Sequence, residues 1–213
     1  MDPFQQTRFY IKPLPTTIYG LRYFPSLEPE CSNDRDSPAF GNVNSLEITD
    51  DNRRLLRQVM QNLGDKLKAI VEIGVNRNSE LSISQILINE RPMGSFYCGI
   101  DLEDKSYLNN PSSNTYTLQC NSKEQFTIRK FLLDKGIEQI DLLFIDGWHS
   151  VNMCANDWSY ADLLSPHGVV LMHDTNSHPG PIAVFEAIDN EMFNKELYFQ
   201  GHFDNGLAVI TKK

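Results

Sequence analysis

The sequence has few cysteines, and it lacks any long apolar run. Four cysteines occur in 213 residues (Cys31, Cys98, Cys120 and Cys154), and no two of them form a Cys-x-x-Cys pair. The spacing therefore disfavours a zinc ribbon, and we expect four free thiols in a reducing cytoplasm. No stretch approaches the ~20 consecutive apolar residues of a membrane-spanning helix. We therefore expect no membrane association.

Basic residues are also scarce. Lys and Arg together number 19 against 28 Asp and Glu, which gives a net charge of −9. Because binding to a phosphate backbone needs clustered cations, general nucleic-acid binding is not expected. The N-terminus, Met1-Asp2-Pro3-Phe4, has no apolar run. We expect no secretion signal there, and a cytoplasmic location.

The first 48 residues differ from the rest in their proline content. Six prolines stand among seven aromatic residues in this segment, and that proline spacing excludes a long helix. Two interpretations stay open: a tail that lies on the protein surface, or a lid or arm over the active site. The arm is a candidate for a homo-oligomer contact. The sequence thus divides into an extension, residues 1–48, and a domain, residues 49–213.

From Thr49 onward, predicted helices and strands alternate. Five strands are predicted, at Leu67–Gly74, Phe96–Asp101, Tyr116–Cys120, Ile140–Asp146 and Val169–Asp174. The helices between and after them are predicted near residues 50–63, 81–88, 122–135, 151–164 and 181–192. Two last strands, Leu197–Phe199 and Leu207–Ile210, are joined through Asp204-Asn205-Gly206, a hairpin-type turn. This order predicts an α/β, doubly wound and mostly parallel sheet.

Polar side chains stand at the ends of four predicted strands. They are Glu72, Asp101, Asp146 and the pair His173-Asp174. Ligands of such sheets bind beyond the carboxyl ends of the strands. An acid at the second strand end accepts hydrogen bonds from ribose in nucleoside-binding sheets, and the alternative is a capping or solvated Asp.

The first turn after a strand lacks two common phosphate-binding motifs. It runs Glu72-Ile73-Gly74-Val75-Asn76-Arg77-Asn78-Ser79, with neither Gly-x-Gly-x-x-Gly nor a P-loop lysine. A glycine after a strand lets a ligand approach the backbone. Gly74 therefore serves either a tight turn or a cofactor.

Two motifs at the later strand ends resemble those of class I S-adenosylmethionine-dependent methyltransferases. They are Ile145-Asp146-Gly147-Trp148-His149 and His173-Asp174-Thr175. The chain looks most like the metal-dependent small-molecule and sugar O-methyltransferases, including those of macrolide sugars, over about residues 49–213. The resemblance implies a Rossmann-like fold with seven strands, mostly parallel, and an antiparallel last strand. The terminal hairpin matches that expectation.

The resemblance implies S-adenosylmethionine as cofactor. Glu72 and Gly74 stand where the family holds the methionine portion, and Asp101 stands at the ribose-binding acid. Trp148 either packs or stacks on the cofactor. The complete set of implied cofactor contacts is Glu72, Gly74, Asn76, Asp101, Cys120, Asn121, Asp146 and Trp148.

The resemblance also implies Mg²⁺ or another divalent ion. Asp146 and Asp174 match the metal-binding carboxylates, and His173 takes the position of a further acidic ligand. A divalent ion lowers the pKa of an acceptor hydroxyl, and carboxylates suit Mg²⁺. His149 matches the family's base and would take the proton. The plainer alternatives are a capping role for Asp146, a local hydrogen bond for His149 and a buried, satisfied His173.

The predicted function is therefore methyl transfer from S-adenosylmethionine, with metal-assisted O-methylation of a small polar or sugar-containing acceptor. Asn78 and Ser79 stand where the family often has further glycines, so the backbone there is less open. Two other functions stay open. One is a methyltransferase-like protein that binds a nucleoside or a partner without turnover. The other is a hydrolase or hydroxylase whose metal is held by His149, His173 and Asp146.

Overall fold

The computed structural model of the chain describes residues 9–12, 18–27, 48–75, 82–198 and 204–213. The strands, β1 to β9, are Phe9–Lys12, Phe24–Leu27, Ala69–Ile73, Phe96–Asp101, Thr115–Gln119, Ile140–Ile145, Leu164–His173, Phe193–Tyr198 and Leu207–Lys212. The helices, α1 to α5, are Asp50–Leu63, Ile83–Asn89, Gln125–Asp134, Val151–Trp158 and Pro179–Ala187. None of the helices in the described ranges has the length and apolar character needed to cross a membrane.

Seven of the described strands form one sheet in the order β5-β4-β3-β6-β7-β9-β8. Strands β3 to β7 are parallel to their neighbours within that group. The last strand, β9, lies between β7 and β8 and is antiparallel to both. The predicted seven-stranded, mostly parallel sheet with an antiparallel last strand is confirmed. Strand order reverses at β3, which pairs with β4 on one side and β6 on the other, and ligands bind at such a switch point.

The end of the chain differs in detail from the prediction. Helix α5 ends at Ala187, earlier than predicted, because Ile188 is extended and forms an antiparallel bridge with Leu21. Strand β8 accordingly begins at Phe193. Tyr198 at the end of β8 pairs with Leu207 at the start of β9, so more than two residues connect these strands and Asp204-Asn205-Gly206 is only the last part of the connection. Residues 199–203 lie outside the described residues. Asp204 accepts hydrogen bonds from the Gly206 amide at 2.8 Å and from Asn52 Nδ2 at 3.1 Å, which tie the connection to α1.

Two helix boundaries also differ from the prediction. Helix α3 begins at Gln125, three residues later than predicted, and Glu124 is its N-cap residue. Helix α4 ends at Trp158 and passes through a short 3₁₀ turn into β7. Strand β7 begins at Leu164, earlier than the predicted Val169, and so includes Pro166. A strand tolerates proline at an irregularity, and the β6–β7 register shifts in this region.

The sheet has an apolar layer on each face. Along β3, Ile70 belongs to the layer beneath α1 and α2, and Val71 to the opposite layer with Trp158 and Tyr160. All five residues of β3 are buried, as expected of a central parallel strand. Cys98 and Cys154 are buried, Cys120 is half-buried, and all three are free thiols. Cys31 lies outside the described residues.

Part of the N-terminal extension lies against this domain. The Trp158 indole donates to the Tyr19 carbonyl at 2.8 Å, and the Arg22 amide donates to the Ala187 carbonyl at 2.9 Å. The first contact involves the last residue of α4 and the second the last residue of α5, and the strand-end site described below adjoins the N-terminal end of α5. The domain boundary at residue 48 and the role of the arm stay predictions.

Glu72 is a buried acid inside one apolar layer. Its side chain accepts hydrogen bonds from the hydroxyls of Tyr97 and Ser84, and the residue is 1% exposed. Burial raises the pKa of Glu72 to about 8, although both hydrogen bonds act to lower it. The folded protein therefore keeps this carboxyl largely protonated at neutral pH.

This pKa shift predicts how stability changes with pH. Between about pH 4.5 and pH 8 the folded protein retains a proton that the unfolded chain releases, so the free energy of unfolding falls as pH rises. In Glu72→Gln the side chain keeps its size and shape but cannot titrate, so the variant lacks this pH dependence. One pKa unit corresponds to ~1.4 kcal/mol, so the free energy of unfolding of the variant, relative to that of wild type, should rise by about 4 kcal/mol from the low-pH end to the high-pH end of this range.

Urea denaturation across this pH range measures the difference. The control is Glu90→Gln. Arg57 lowers the pKa of Glu90, so the contribution of Glu90 to the free energy of unfolding rises with pH instead of falling. A difference between Glu72→Gln and wild type that stays constant with pH would contradict the prediction.

Candidate functional site

The site begins where β3 and β6 end side by side. The Asp146 amide donates to the Ile73 carbonyl at 2.8 Å. Gly74 has φ +85°, and a Cβ at this position would lie 2.0 Å from the Asp146 carbonyl oxygen. No other residue fits so close to this backbone. The structure therefore gives Gly74 a tight-turn role, and Gly74 also lines the cavities on either side.

A first cavity, of about 210 Å³, opens at this strand edge. Its walls are largely apolar, with Ile73, Ile100, Leu102 and Met153 among them. Six of the eight predicted cofactor residues line it, and Trp148 is exposed over 46% of its surface. These six are Gly74, Asp101, Cys120, Asn121, Asp146 and Trp148.

The other two predicted cofactor residues are placed differently. Glu72 lines neither cavity, because its carboxyl is held by Tyr97 and Ser84 inside the core. The structure thus shows Glu72 anchoring α2 and β4 rather than facing the cavities. Asn76 lies outside the described residues, and its contact with a cofactor stays a prediction.

Asp101 is fixed by the backbone around it. Its Oδ2 accepts from the Val75 amide at 2.8 Å, and its Oδ1 accepts from the Glu103 amide at 2.7 Å. A carboxylate has about four acceptor positions, so lone pairs remain for a ligand. Asp101 lines both cavities and marks the boundary between them.

The second cavity is larger, about 500 Å³, and more polar. Its lining includes a buried cation, Lys105, which is paired with Glu103 at 2.9 Å. Charged and imidazole side chains dominate the side towards β6 and β7. They are Asp146, His149, His173, Asp174 and His178, called the His–Asp cluster below.

The His–Asp cluster is connected by short polar contacts. His149 Nε2 lies 2.7 Å from Asp174 Oδ2. His173 Nδ1 lies 3.1 Å from Asp146 Oδ1 and 3.3 Å from Asp174 Oδ2. The rings of His149 and His178 are 3.9 Å apart between centroids. Four of these five residues were predicted from the sequence as site residues, and His178 was not. A signal was present, since His178 directly precedes Pro179-Gly180-Pro181, a typical helix start.

The pKa values in the cluster follow from burial and charge. Burial raises the pKa of Asp146, against His173, which acts to lower it. Burial alone would raise the pKa of Asp174, but His173 and His149 outweigh it and hold that pKa well below its usual range. Burial also acts to lower the pKa of His149, yet the hydrogen bond to Asp174 raises it overall. Burial lowers the pKa of His178 to about 4, with help from His149.

A strained turn brings His178 into the cluster. Asp174 has φ +60°, a conformation that few residues other than glycine adopt. Its carbonyl accepts from the His178 amide at 3.0 Å, which closes the turn. Its Oδ1 accepts from Ser177 Oγ at 3.2 Å.

The first turn of helix α5 packs directly against the backbone of His149. A Cβ on Gly180 would lie 2.0 Å from the His149 carbonyl oxygen. Glycine is therefore required at the first turn of α5, and this contact brings the two imidazole rings together.

The predicted metal ligands lie close enough to share an ion. Donor atoms of Asp146, His173 and Asp174 all lie within 4.8 Å of one another. His173 Nε2 is buried and has no hydrogen-bond partner among the described residues. Two carboxylates fit a divalent cation, and the imidazole in place of a third acid departs from the oxygen ligands that Mg²⁺ prefers.

Comparison with solved structures identifies the fold. No protein-family model matches the chain, and no curated protein matches it in sequence. The chain superposes on MycE methyltransferase of the mycinamycin biosynthetic pathway, in complex with Mg, SAH (S-adenosylhomocysteine) and mycinamycin VI. The TM-score is 0.55 at 13% identity over 75% of this chain and 48% of MycE. The chain thus spans about half the length of MycE.

Two further structures match over more of their length. For the O-methyltransferase from Bacillus cereus in complex with SAH, the TM-score is 0.56 at 15% identity, over 78% of this chain and 82% of that one. For CalS11, TDP-rhamnose 3′-O-methyltransferase of calicheamicin biosynthesis, the TM-score is 0.52 at 12% identity, over 76% and 80%. The chain therefore has the class I S-adenosylmethionine-dependent methyltransferase fold, as the motifs predicted.

The contact between α5 and His149 predicts a large effect of a single methyl group. Gly180→Ala should lower the free energy of unfolding by about 2–3 kcal/mol, because the new Cβ overlaps backbone that must move. Gly136→Ala is the control: φ there is +77°, but a Cβ would meet nothing within 4 Å. Backbone strain alone should cost that variant about 1 kcal/mol. Urea denaturation compares the two, and equal losses would contradict the close contact.

Proposed function

We propose that this protein is an S-adenosylmethionine-dependent methyltransferase that methylates an oxygen of a small polar or sugar-containing acceptor. One observation carries the proposal: a small apolar cavity and a larger polar one adjoin at Asp101 and Asp146, with a carboxylate–imidazole pair in the second. The fold is shared with MycE and the B. cereus O-methyltransferase, both solved with SAH. CalS11 acts on TDP-rhamnose, which favours a sugar among small acceptors.

The first cavity suits the nucleoside part of the cofactor. Its apolar walls, with Trp148 and Met153, offer surfaces on which a base can stack. Asp101 already has its orientation set by two backbone amides, so it can accept from ribose hydroxyls without further ordering. Asn121 and Cys120 lie on the same cavity wall, where the adenine would be gripped.

The cofactor supplies an electrophilic methyl group on a sulfonium, and the chain must place an oxygen in line with it. The junction of the two cavities, at Gly74 and Asp146, is where a sulfonium would face the second cavity. The carboxylate of Asp146 favours a positive charge there. Holding both reactants in this orientation supplies much of the rate enhancement.

His149 is the residue that would accept the acceptor's proton. Its Nε2 donates to Asp174, which sets the tautomer and leaves Nδ1 as the acceptor nitrogen. After the transfer the imidazolium is stabilised by Asp174 and Asp146, and the raised pKa of His149 reflects both charges. Asp174 therefore orients the base and stabilises its charged form.

A divalent ion, when bound, would lower the pKa of the acceptor hydroxyl. Asp146, Asp174 and His173 are the residues that would hold it.

Asp101→Asn tests the cofactor site. We expect wild type to bind S-adenosylhomocysteine in calorimetry, and the variant to bind at least about tenfold more weakly, because a charged acceptor for ribose is lost. Asp104→Asn is the control, since Asp104 is exposed, accepts from the Ser106 amide and lines neither cavity. Undetectable binding by wild type at millimolar ligand would refute the proposal.

His149→Asn tests the base. Turnover of an accepted sugar or phenol substrate should fall by about 10²–10⁴-fold, while the affinity for S-adenosylhomocysteine stays within a factor of a few. The control is His167→Asn: His167 pairs with Asp141 at 2.9 Å, near the start of β6 and remote from both cavities. If His149→Asn turns over as wild type does, His149 is not the base. Cofactor binding by wild type without turnover across a broad acceptor panel would favour a binding protein.

A further inference from the structure

We propose that His149, Asp174 and His178 form a binding site for a divalent transition-metal ion of the Zn²⁺ or Co²⁺ type, and that an ion bound there blocks the base. The site differs from the predicted one, which consists of Asp146, His173 and Asp174. The inhibitory part rests on the proposed function, and the metal site itself does not.

The three residues converge from three elements. His149 precedes α4, Asp174 follows β7, and His178 is the N-cap residue of α5. One donor atom from each lies within 4.8 Å of the other two. Ligands of a tetrahedral ion lie about 2.0–2.2 Å from the metal, so a small rotation of the side chains closes the site. His178 Nδ1 is buried and has no hydrogen-bond partner among the described residues.

The surrounding backbone holds the three residues in place. Gly180 sets α5 directly against the His149 carbonyl, and the turn closed by Asp174 and His178 fixes the other two ligands relative to each other. Asp174 Oδ1 accepts from Ser177 Oγ, while Oδ2 faces His149. A supported ligand of this kind loses little freedom on binding a metal.

The donor atoms select the type of ion. Two imidazoles and one carboxylate suit Zn²⁺ and Co²⁺, which bind nitrogen well, whereas Mg²⁺ prefers oxygen ligands and retains water. Three protein ligands leave a position open for water or a substrate oxygen.

A metal ion bound to Nε2 of His149 changes the base. The hydrogen that Nε2 donates to Asp174 must leave this nitrogen, and a neutral, metal-bound imidazole carries its hydrogen on Nδ1. Nδ1 then donates instead of accepting, so it cannot take a proton from the acceptor. Zn²⁺ should therefore inhibit methyl transfer.

Cobalt titration of the full-length, metal-stripped protein tests the site. We expect one Co²⁺ per chain, with visible absorption bands typical of a four- or five-coordinate ion, and no displacement by a large excess of Mg²⁺. His178→Phe keeps a ring against His149 but removes both nitrogens, and should weaken binding at least tenfold. His167→Phe, the matched control, alters a histidine outside the cluster and should bind as wild type does. Circular dichroism checks that each variant is folded.

The outcomes separate cleanly. Stoichiometric Co²⁺ binding that is lost in His178→Phe and kept in His167→Phe supports the site. No binding by wild type, equal binding by folded His178→Phe, or displacement by Mg²⁺ overturns it. Inhibition is read as the ratio of activity with and without Zn²⁺ in each variant. Failure of S-adenosylhomocysteine binding would remove the proposed function, and the Co²⁺ result would still decide the metal site.

Discussion

The backbone contact between the ends of β3 and β6 is the constraint on which the rest of the site depends. The Asp146 amide donates to the Ile73 carbonyl, and the Asp146 carbonyl lies so close to Gly74 that no side chain fits at position 74. Because strand order reverses at β3, this contact lies at the switch point of the sheet. One small apolar cavity and one larger polar cavity open beside it, and Gly74 and Asp146 line both. The same contact therefore determines where the two cavities meet.

A second constraint acts on the chemistry. Asp174 adopts a left-handed backbone conformation, and the turn it begins returns the chain to His178. Gly180 then lets α5 approach His149 closely. Strained positions of this kind persist only where the surrounding structure over-determines them, and they concentrate at functional sites. Imidazoles and carboxylates are thereby held together at a distance that either a proton or a metal ion can bridge.

Much of the fold was predictable because local patterns and tertiary packing agree. Strand β3 is apolar except for Glu72 and is buried on both faces, and α1 spans Asp50–Leu63 as the sequence pattern predicted, with Thr49 as its N-cap residue. The end of α5 was predicted wrongly because a distant residue decides it: Ile188 pairs with Leu21, and the helix ends early. The side chain of Glu72 lies in the core, where Tyr97 and Ser84 donate hydrogen bonds to it, and its contact with a cofactor stays a prediction.

The sequence by itself determined the alternation of strands and helices, the acids at the strand ends and the motif pair around Asp146 and Asp174. These features depend on periodicity and on residue order, which neighbours along the chain carry. Only the tertiary structure decided which side chains meet. Asp101 faces both cavities while Glu72 faces neither, and His178 joins His149 across 29 residues of chain. Such contacts depend on the close approach of separate backbones, and residue order alone does not encode that distance.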